Sequence, residues 1–230
     1  MAARGRPRSF DRDAALRKAM KTFWKFGYEG ASMAALTEAM GINSPSLYAA
    51  FGSKEELFRE AVALYLETED SKGRAILDEE PTARAAIHAM LRNSVSNLAR
   101  PGAPQGCLLI LGDSNATPEN NGVRQYLCQR RRDIQTAIDA RLRRGVSDSD
   151  VPADADIEAM AAFYMTVIQG LSLRARDGAS RDAMNGIVES AMAAWDSLAV
   201  SRAAQSSRIK GKARKSGQRQ LTRTAPARPE

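Results

Sequence analysis

Histidine, cysteine and strand-forming patterns are scarce in this 230-residue chain, and each scarcity removes a class of function. One histidine, His88, and two cysteines, Cys107 and Cys128, leave no CxxC or HxxxH spacing. That argues against a structural zinc or a zincin centre, and no metal or other cofactor is expected. Two cysteines make no disulfide framework, so free thiols in a reducing compartment are the expectation. No apolar run approaches the length of a membrane span, and the basic N-terminus lacks the apolar stretch of a signal peptide. A cytoplasmic protein with no membrane partner is expected. There is no Gly-rich phosphate loop and no GxSxG, so nothing supports an enzyme. Sustained period-two alternation is missing too, which leaves an all-α chain.

The net charge of +7 is unevenly placed. Residues 1–21 and 202–230 are strongly basic, and the body between them is acidic. Basic ends suggest contact with a polyanion, against the simpler reading that they aid solubility. The expected divisions are a basic arm at 1–9, a helix-turn-helix DNA-binding domain at 10–56, a helical ligand-binding and dimerisation domain at 57–200, and a tail at 201–230. The tail lacks apolar periodicity and reads as disordered.

Helical periodicity places a first helix from Asp11 to Phe26, ended by Gly27, with Ala15, Leu16, Ala19, Met20 and Phe23 as its apolar stripe. Ser32 suits the N-cap of a second helix, Met33 to Met40. Ser44 is the expected cap of a third, with Pro45 at its first position. Ser53 and Glu56 predict a capping box for a fourth, Lys54 to Ser71. Further helices are expected at Thr82–Leu98, Val123–Arg144, Ile157–Ala175 and Arg181–Leu198. The apolar run "CLLILGDSN" at 107–115 could be a strand or a short helix; its helical neighbours favour helix.

The third helix is two turns long and carries serine and alanine where a core helix would carry leucine. Such a helix is marginal alone. Its position after a glycine turn suits the second helix of a helix-turn-helix, which enters the DNA major groove with its N-terminal residues toward base edges. The stretch "FWKFGYEGASMAALTEAMGINSPSLYAAFGSKEELF" resembles the TetR family of bacterial transcriptional regulators, with Phe23, Gly27, Tyr28, Leu36, Gly41, Leu47, Tyr48, Phe51, Lys54 and Phe58 in register. The resemblance implies phosphate contacts from Tyr48 and Lys54, with Ser32 and Ser53 at helix N-termini adding backbone donors. It implies a base-facing surface of Ser44, Pro45, Ser46, Ala49 and Ala50. Many relatives carry Lys, Arg or Gln at the position of Ser44 and a large polar or aromatic pair at Ala49-Ala50, and some carry Arg or Thr at Ala34 and Ala35, so direct readout should be sparse. The arm "ARGRPRSF" compensates if Arg4, Arg6 and Arg8 enter an A·T-rich minor groove; the alternative is a salt-dependent basic tail.

Residues from about 72 to 200 resemble, more loosely, the helical ligand-binding and dimerisation domain of the same family. Met165, Ile168 and Leu171, with Ile187, Ala191, Ala194 and Leu198, form the expected homodimer face, unless those stripes only meet the protomer's own core. His88, Leu91, Cys107, Ile110, Tyr126 and Met165 are the candidate pocket residues for a small apolar or aromatic ligand. The implied function is a repressor that binds a palindromic double-stranded DNA operator as a dimer and is released by ligand. "QGCLLI" also resembles a segment of regulators that sense electrophiles or oxidants, which makes Cys107 a candidate thiol sensor. Arg130, Arg131 and Arg132 could polarise Cys128. A third reading is a nonspecific architectural DNA-binding protein, which the acidic body opposes.

Overall fold

The computed structural model describes residues 10–69, 72–113 and 118–200, and among these it is helical with no strand. The arm with Arg4, Arg6 and Arg8, and the tail 201–230, lie outside the described residues.

The first helix, α1 (Arg12–Gly30), starts at Asp11, whose Oδ1 accepts from the amides of Asp13 and Ala14 at 3.0 Å each. Those bonds satisfy two donors that a helix start leaves orphaned, and they hold the Asp11 carboxyl below its usual range. Gly27 breaks the helix at φ 71° and ψ 177°, and one further turn follows to Gly30. Helices α2 (Met33–Met40), α3 (Ser44–Phe51) and α4 (Lys54–Thr68) complete the first unit. Phe58 of α4 packs edge-on to Phe23 at 5.0 Å and to Tyr28 at 5.2 Å, which fixes α4 across α1. Phe23 and Phe58 are fully buried, and burying each contributes about 1.5–3 kcal/mol.

The expected single helix from Lys54 to Ser71 stops at Thr68, and a separate helix follows, α5 (Lys72–Glu79). Then come α6 (Ala83–Leu98), the one-turn α7 (Leu108–Leu111), a 3-10 turn at Pro118–Asn120, α8 (Asn121–Ser147), α9 (Ile157–Arg176), α10 (Arg181–Ala193) and α11 (Trp195–Leu198). The ambiguous 107–115 run thus begins as a short helix, and the last expected helix is two.

Two apolar cores result. One joins α1 to α4 and also takes Leu108 and Leu109 of α7 and Val123 and Leu127 of α8. The other fills the space between α5, α6, α8, α9 and α10. Cys107 and Ile134 pack against both. The first core therefore runs past Glu56 through Tyr65 and into the second half of the chain. Among the described residues no helix is long and apolar enough to cross a membrane, and no cluster of three or more His, Cys, Asp or Glu could hold a metal ion.

Candidate nucleic-acid interface and ligand cavity

The short α3 is held from behind. Leu47 and Phe51 are buried, and Leu36 of α2 is fully buried beneath it. Asn43 caps the helix: its Oδ1 accepts from the Ser46 amide at 2.9 Å. The sequence reading gives that role to Ser44, one residue late; Ser44 is the first helical residue and is exposed. Pro45 still costs nothing, because first-turn amides have no intrahelical partner. Arg12 brackets the far end of α3. Its Nη2 donates to Glu60 Oε1 at 2.7 Å and to the Ala50 carbonyl at 3.3 Å, and its guanidinium lies 4.3 Å over the Phe51 ring.

The outer face then carries Ser44, Pro45, Tyr48 and Ala49, all exposed, while Ser46 and Ala50 are half-buried. Tyr48 is 50% exposed, unusual for so large a side chain with nothing to cover it. Lys54 lies beside this face with Nζ 4.4 Å over the Tyr28 ring. Partial burial pushes its pKa down and Glu29 pulls it back up. Ser32 Oγ accepts from the Ala35 amide, and Ser53 Oγ from the Glu56 amide, each at 3.1 Å. The Ser53 amide itself goes to the Phe51 carbonyl at 3.0 Å, closing the tight turn before α4. The result is a small, nearly uncharged probe helix flanked by one ammonium, one phenol and two helix N-termini. That arrangement can approach base edges closely and grip phosphates at its margins.

Beneath this unit lies a cavity of about 350 Å³ between α4, α5, α6, α7, α8 and α9. Cys107 and Ile110 line it, as expected. Four other expected residues do not. His88 is on the outer side of α6, with Nε2 2.9 Å from Glu189 Oε1. Leu91 and Met165 are buried in the apolar core. Tyr126 lies under Arg59, 4.7 Å from its ring, with Arg130 nearby. The wall of α6 is instead Met90, Asn93, Ser94 and Asn97, one helical face apart from Ile87, Leu91 and Val95. The available signal was Asn93, Ser94 and Asn97, small polar residues gathered on one side of the helix.

The segment 106–113 ties the cavity to the probe unit. The Gly106 carbonyl accepts from Trp24 Nε1 at 2.7 Å, and the Gly112 carbonyl from the Tyr28 amide at 2.9 Å. The Cys107 amide donates to Ser172 Oγ at 2.8 Å, and the Tyr65 hydroxyl lies 3.4 Å from Cys107 Sγ. Arg131 donates to the Leu109 carbonyl at 2.6 Å and pairs with Asp113. The helix after Cys107 has only four residues, so it brings little helix dipole to bear on the thiol. Of the arginines near Cys128, Arg131 serves Asp113, Arg130 pairs with Asp133 and Arg132 donates to Gln129.

On the expected dimer face, Met165, Leu171 and Ala191 are buried in the protomer's own core, and Ile168 lines the cavity. Ala194 and Leu198 are half-buried, and Ile187 is exposed. Met165 and Leu171 turn inward, where burial of a large side chain gains most, while Ile187 stays exposed. Ala162, Thr166, Gly170 and Leu173 of α9, with Gly186, Ile187 and Ser190 of α10, face outward.

Known proteins match this arrangement in both halves. The profile of bacterial regulatory proteins of the tetR family matches residues 15–61, and that of the tetracyclin repressor-like C-terminal domain matches residues 83–191. The HTH-type transcriptional repressor ComR of Escherichia coli is 35% identical over 85% of this chain and 94% of its own length. The repressor BdcR of the same organism is 32% identical over 76% of this chain and 84% of its own length. The regulator CifR, solved as a cysteine-substituted protein with 26-base-pair double-strand operator DNA, is 49% identical, covers 83% of this chain and 100% of its own, and superposes with a TM-score of 0.81. With family profiles matching both halves and relatives matching most of its length, the chain belongs to the TetR family of bacterial regulatory proteins: it is a DNA-binding regulator of transcription, not an enzyme.

Proposed function

We propose that this protein is a repressor that binds a palindromic operator as a homodimer and leaves it when a small apolar or aromatic molecule fills the cavity. One observation carries the reading. The 106–113 segment forms a wall of the cavity and is also hydrogen-bonded to α1 through Trp24 and Tyr28. A ligand that displaces this wall shifts the population toward a conformer in which two probe helices are wrongly spaced for successive grooves. Affinity for operator falls by the ligand's differential affinity for the two conformers. Ser44, Pro45 and Ala49 face the bases in this reading; Tyr48 and Lys54 hold phosphates, with the helix starts capped by Ser32 and Ser53 offering first-turn amides, since the two serines' own amides are bonded within the chain; Arg4, Arg6 and Arg8 add minor-groove contacts. The outward faces of α9 and α10, rather than their buried stripes, meet the partner. ComR and BdcR, both named repressors, support the sign of regulation. The work is done on DNA in the cytoplasm.

The test is fluorescence anisotropy of the full chain on the DNA upstream of its own gene and on the operators of a genome-wide selection, with shuffled duplex as competitor. A specific regulator prefers its site by a factor on the order of a thousand or more at fixed salt. Equal competition by shuffled DNA at every site points to an architectural protein instead. A second reading is thiol sensing at Cys107, favoured by its sulfur lining the cavity beside the Tyr65 hydroxyl. An electrophile with an activated double bond would then add there: the sulfur forms a carbon–sulfur bond as the carbon–carbon π bond breaks, and the thiol proton ends on the neighbouring carbon. Release of operator that survives in Cys107→Ser and is reversed by dialysis separates reversible binding from this chemistry.

A further inference from the structure

A second groove, of about 300 Å³, opens between α5 and α8. Arg74, Arg141 and Arg144 line it, with Asp78, Leu77 and Ala137. Part of this charge has a structural use. Arg141 Nη2 donates to the Glu80 carbonyl at 3.2 Å, and Arg144 Nη2 to the Leu77 and Asp78 carbonyls at 2.7 and 3.2 Å. These donors satisfy the carbonyls at the end of α5, which the helix leaves open.

The remainder has no such use. Arg141 is 3% exposed, yet its Nε and Nη1 are buried with no hydrogen-bond partner. Arg74 is exposed and makes no hydrogen bond or ion pair with a described residue. Asp78 is one carboxylate among three guanidinium groups and reaches Arg144 only at 3.5 Å. Asp150 is nearby, but one of its oxygens accepts from the Ala83 amide and neither pairs with Arg141. Guanidinium forks left open in this way match the planar oxygens of a carboxylate or phosphate. The groove also adjoins the main cavity, since Arg74, Leu77 and Ala137 line both.

We infer that the groove is an oxyanion subsite, taking the carboxylate or phosphate of a small molecule whose apolar part lies in the main cavity. Its link to operator release rests on the cavity being the effector site.

Calorimetric titration of the full chain with n-octanoate, n-octyl phosphate and n-octanol tests this. At least one anion should bind about tenfold more tightly than the alcohol, and the two anions compared tell carboxylate from phosphate. Arg74→Gln is the variant of choice, because Arg74 holds no other group, whereas loss of Arg141 would uncap α5. It should remove the preference for the anion, read as the ratio of anion to octanol affinity within each protein, whatever the change in octanol affinity itself. Equal binding of anion and alcohol, no binding of either anion, or indifference to Arg74→Gln overturns the subsite; a buried water shared by Arg141 and Asp150 would then explain the open donors. Operator release is read separately at constant ionic strength. An anion that binds through Arg74 without releasing DNA leaves the subsite standing and removes the effector reading.

Discussion

Arg12 looks like a DNA contact by position, since it is a cation beside the probe helix, but its geometry makes it a bracket. The perturbation is Arg12→Met, with Arg12→Lys as its charge-retaining companion. Three interactions are lost. The ion pair with Glu60 joins side chains 27% and 38% exposed, so water screens it and it contributes about 0.5–1 kcal/mol. The bonds to the Ala50 carbonyl, at 3.3 and 3.4 Å, are long and together contribute about 0.5–1 kcal/mol. The guanidinium 4.3 Å over Phe51 adds roughly 0.5–1 kcal/mol, part of which methionine keeps through its own contact with the ring. The sum, about 2 kcal/mol, is well inside the 5–15 kcal/mol typical of a folded domain, so the variant folds. What it loses is the fixed seat of α3. About 1.4 kcal/mol of that loss appearing in binding lowers operator affinity about tenfold for each bound protomer.

Anisotropy on an operator duplex over a range of salt separates bracket from contact. A bracket touches protein, so affinity falls while the slope of log affinity against log salt stays the same. Arg12→Lys should lose most of the same affinity, because an ammonium cannot bridge Glu60, the Ala50 carbonyl and the Phe51 ring together. A slope shallower by about one per protomer in Arg12→Met, with full rescue by lysine, would mean that Arg12 binds phosphate and that this reasoning is wrong.

Other residues give sharp expectations. Tyr48→Phe should leave folding unchanged, since the ring is half in solvent, and weaken operator and shuffled DNA alike by roughly 0.5–1.5 kcal/mol in an anisotropy titration. Gly27→Ala should destabilise by about 1–2 kcal/mol in urea denaturation, because φ is 71° and a Cβ would sit 3.3 Å from the Gly112 carbonyl oxygen. Asp11 carries a pH dependence of definite sign. Its folded pKa is depressed from 3.8 by its bonds to the Ala14 and Asp13 amides, so its contribution is full above that value and fades as pH falls through the lower folded one. Asn at this position still caps but does not titrate; urea midpoints of wild type and Asp11→Asn should therefore converge as pH drops below 3.8, and a constant gap would contradict the assignment.

The probe unit was legible because its constraints are local. Gly27 and Gly41 sit at φ 71° and 73°, and serines at 32 and 53 cap the helices that follow, so turn and cap chemistry alone places the first four helices. Asn43 was missed by one residue because asparagine and serine compete for the same capping role and sequence does not rank them in place. The separate α5 was missed because nothing in the glycine and proline spacing marks a break after Thr68. The cavity was mostly illegible for a different reason. Its wall is made where six helices fail to meet, and a stripe read from one helix does not say whether a neighbour or a void faces it. Met90 is buried in the core and yet borders the cavity, while Leu91, one residue on, lies wholly within the core. The bundle helices are similar: Met165 and Leu171 satisfy the protomer, while Ala162, Thr166, Gly170 and Gly186, with Leu173 and Ile187, face outward.

The hydrogen bond between Trp24 Nε1 and the Gly106 carbonyl decides how far the two halves act as one. It is buried and 2.7 Å long, and its loss would leave a buried carbonyl open at a cost of about 1–3 kcal/mol. A displaced 106–113 segment therefore drags α1 with it more cheaply than it detaches from it. Removing the indole N–H reverses that preference. In Trp24→Phe the segment keeps only its Gly112 bond to the Tyr28 amide and parts from α1 more readily, so operator affinity without ligand should be near wild type and release should be impaired. N-ethylmaleimide supplies the displacement without a known ligand, since its addition to Cys107 places a rigid ring against Tyr65 and the cavity wall. In a Cys128→Ser background, with labelling at Cys107 matched by mass spectrometry, the labelled parent should release operator and the labelled Trp24→Phe protein should retain much of it. Equal release from both would show that the cavity speaks to the probe helix by another route, through α4 and Tyr65, and that the indole bond is a packing detail.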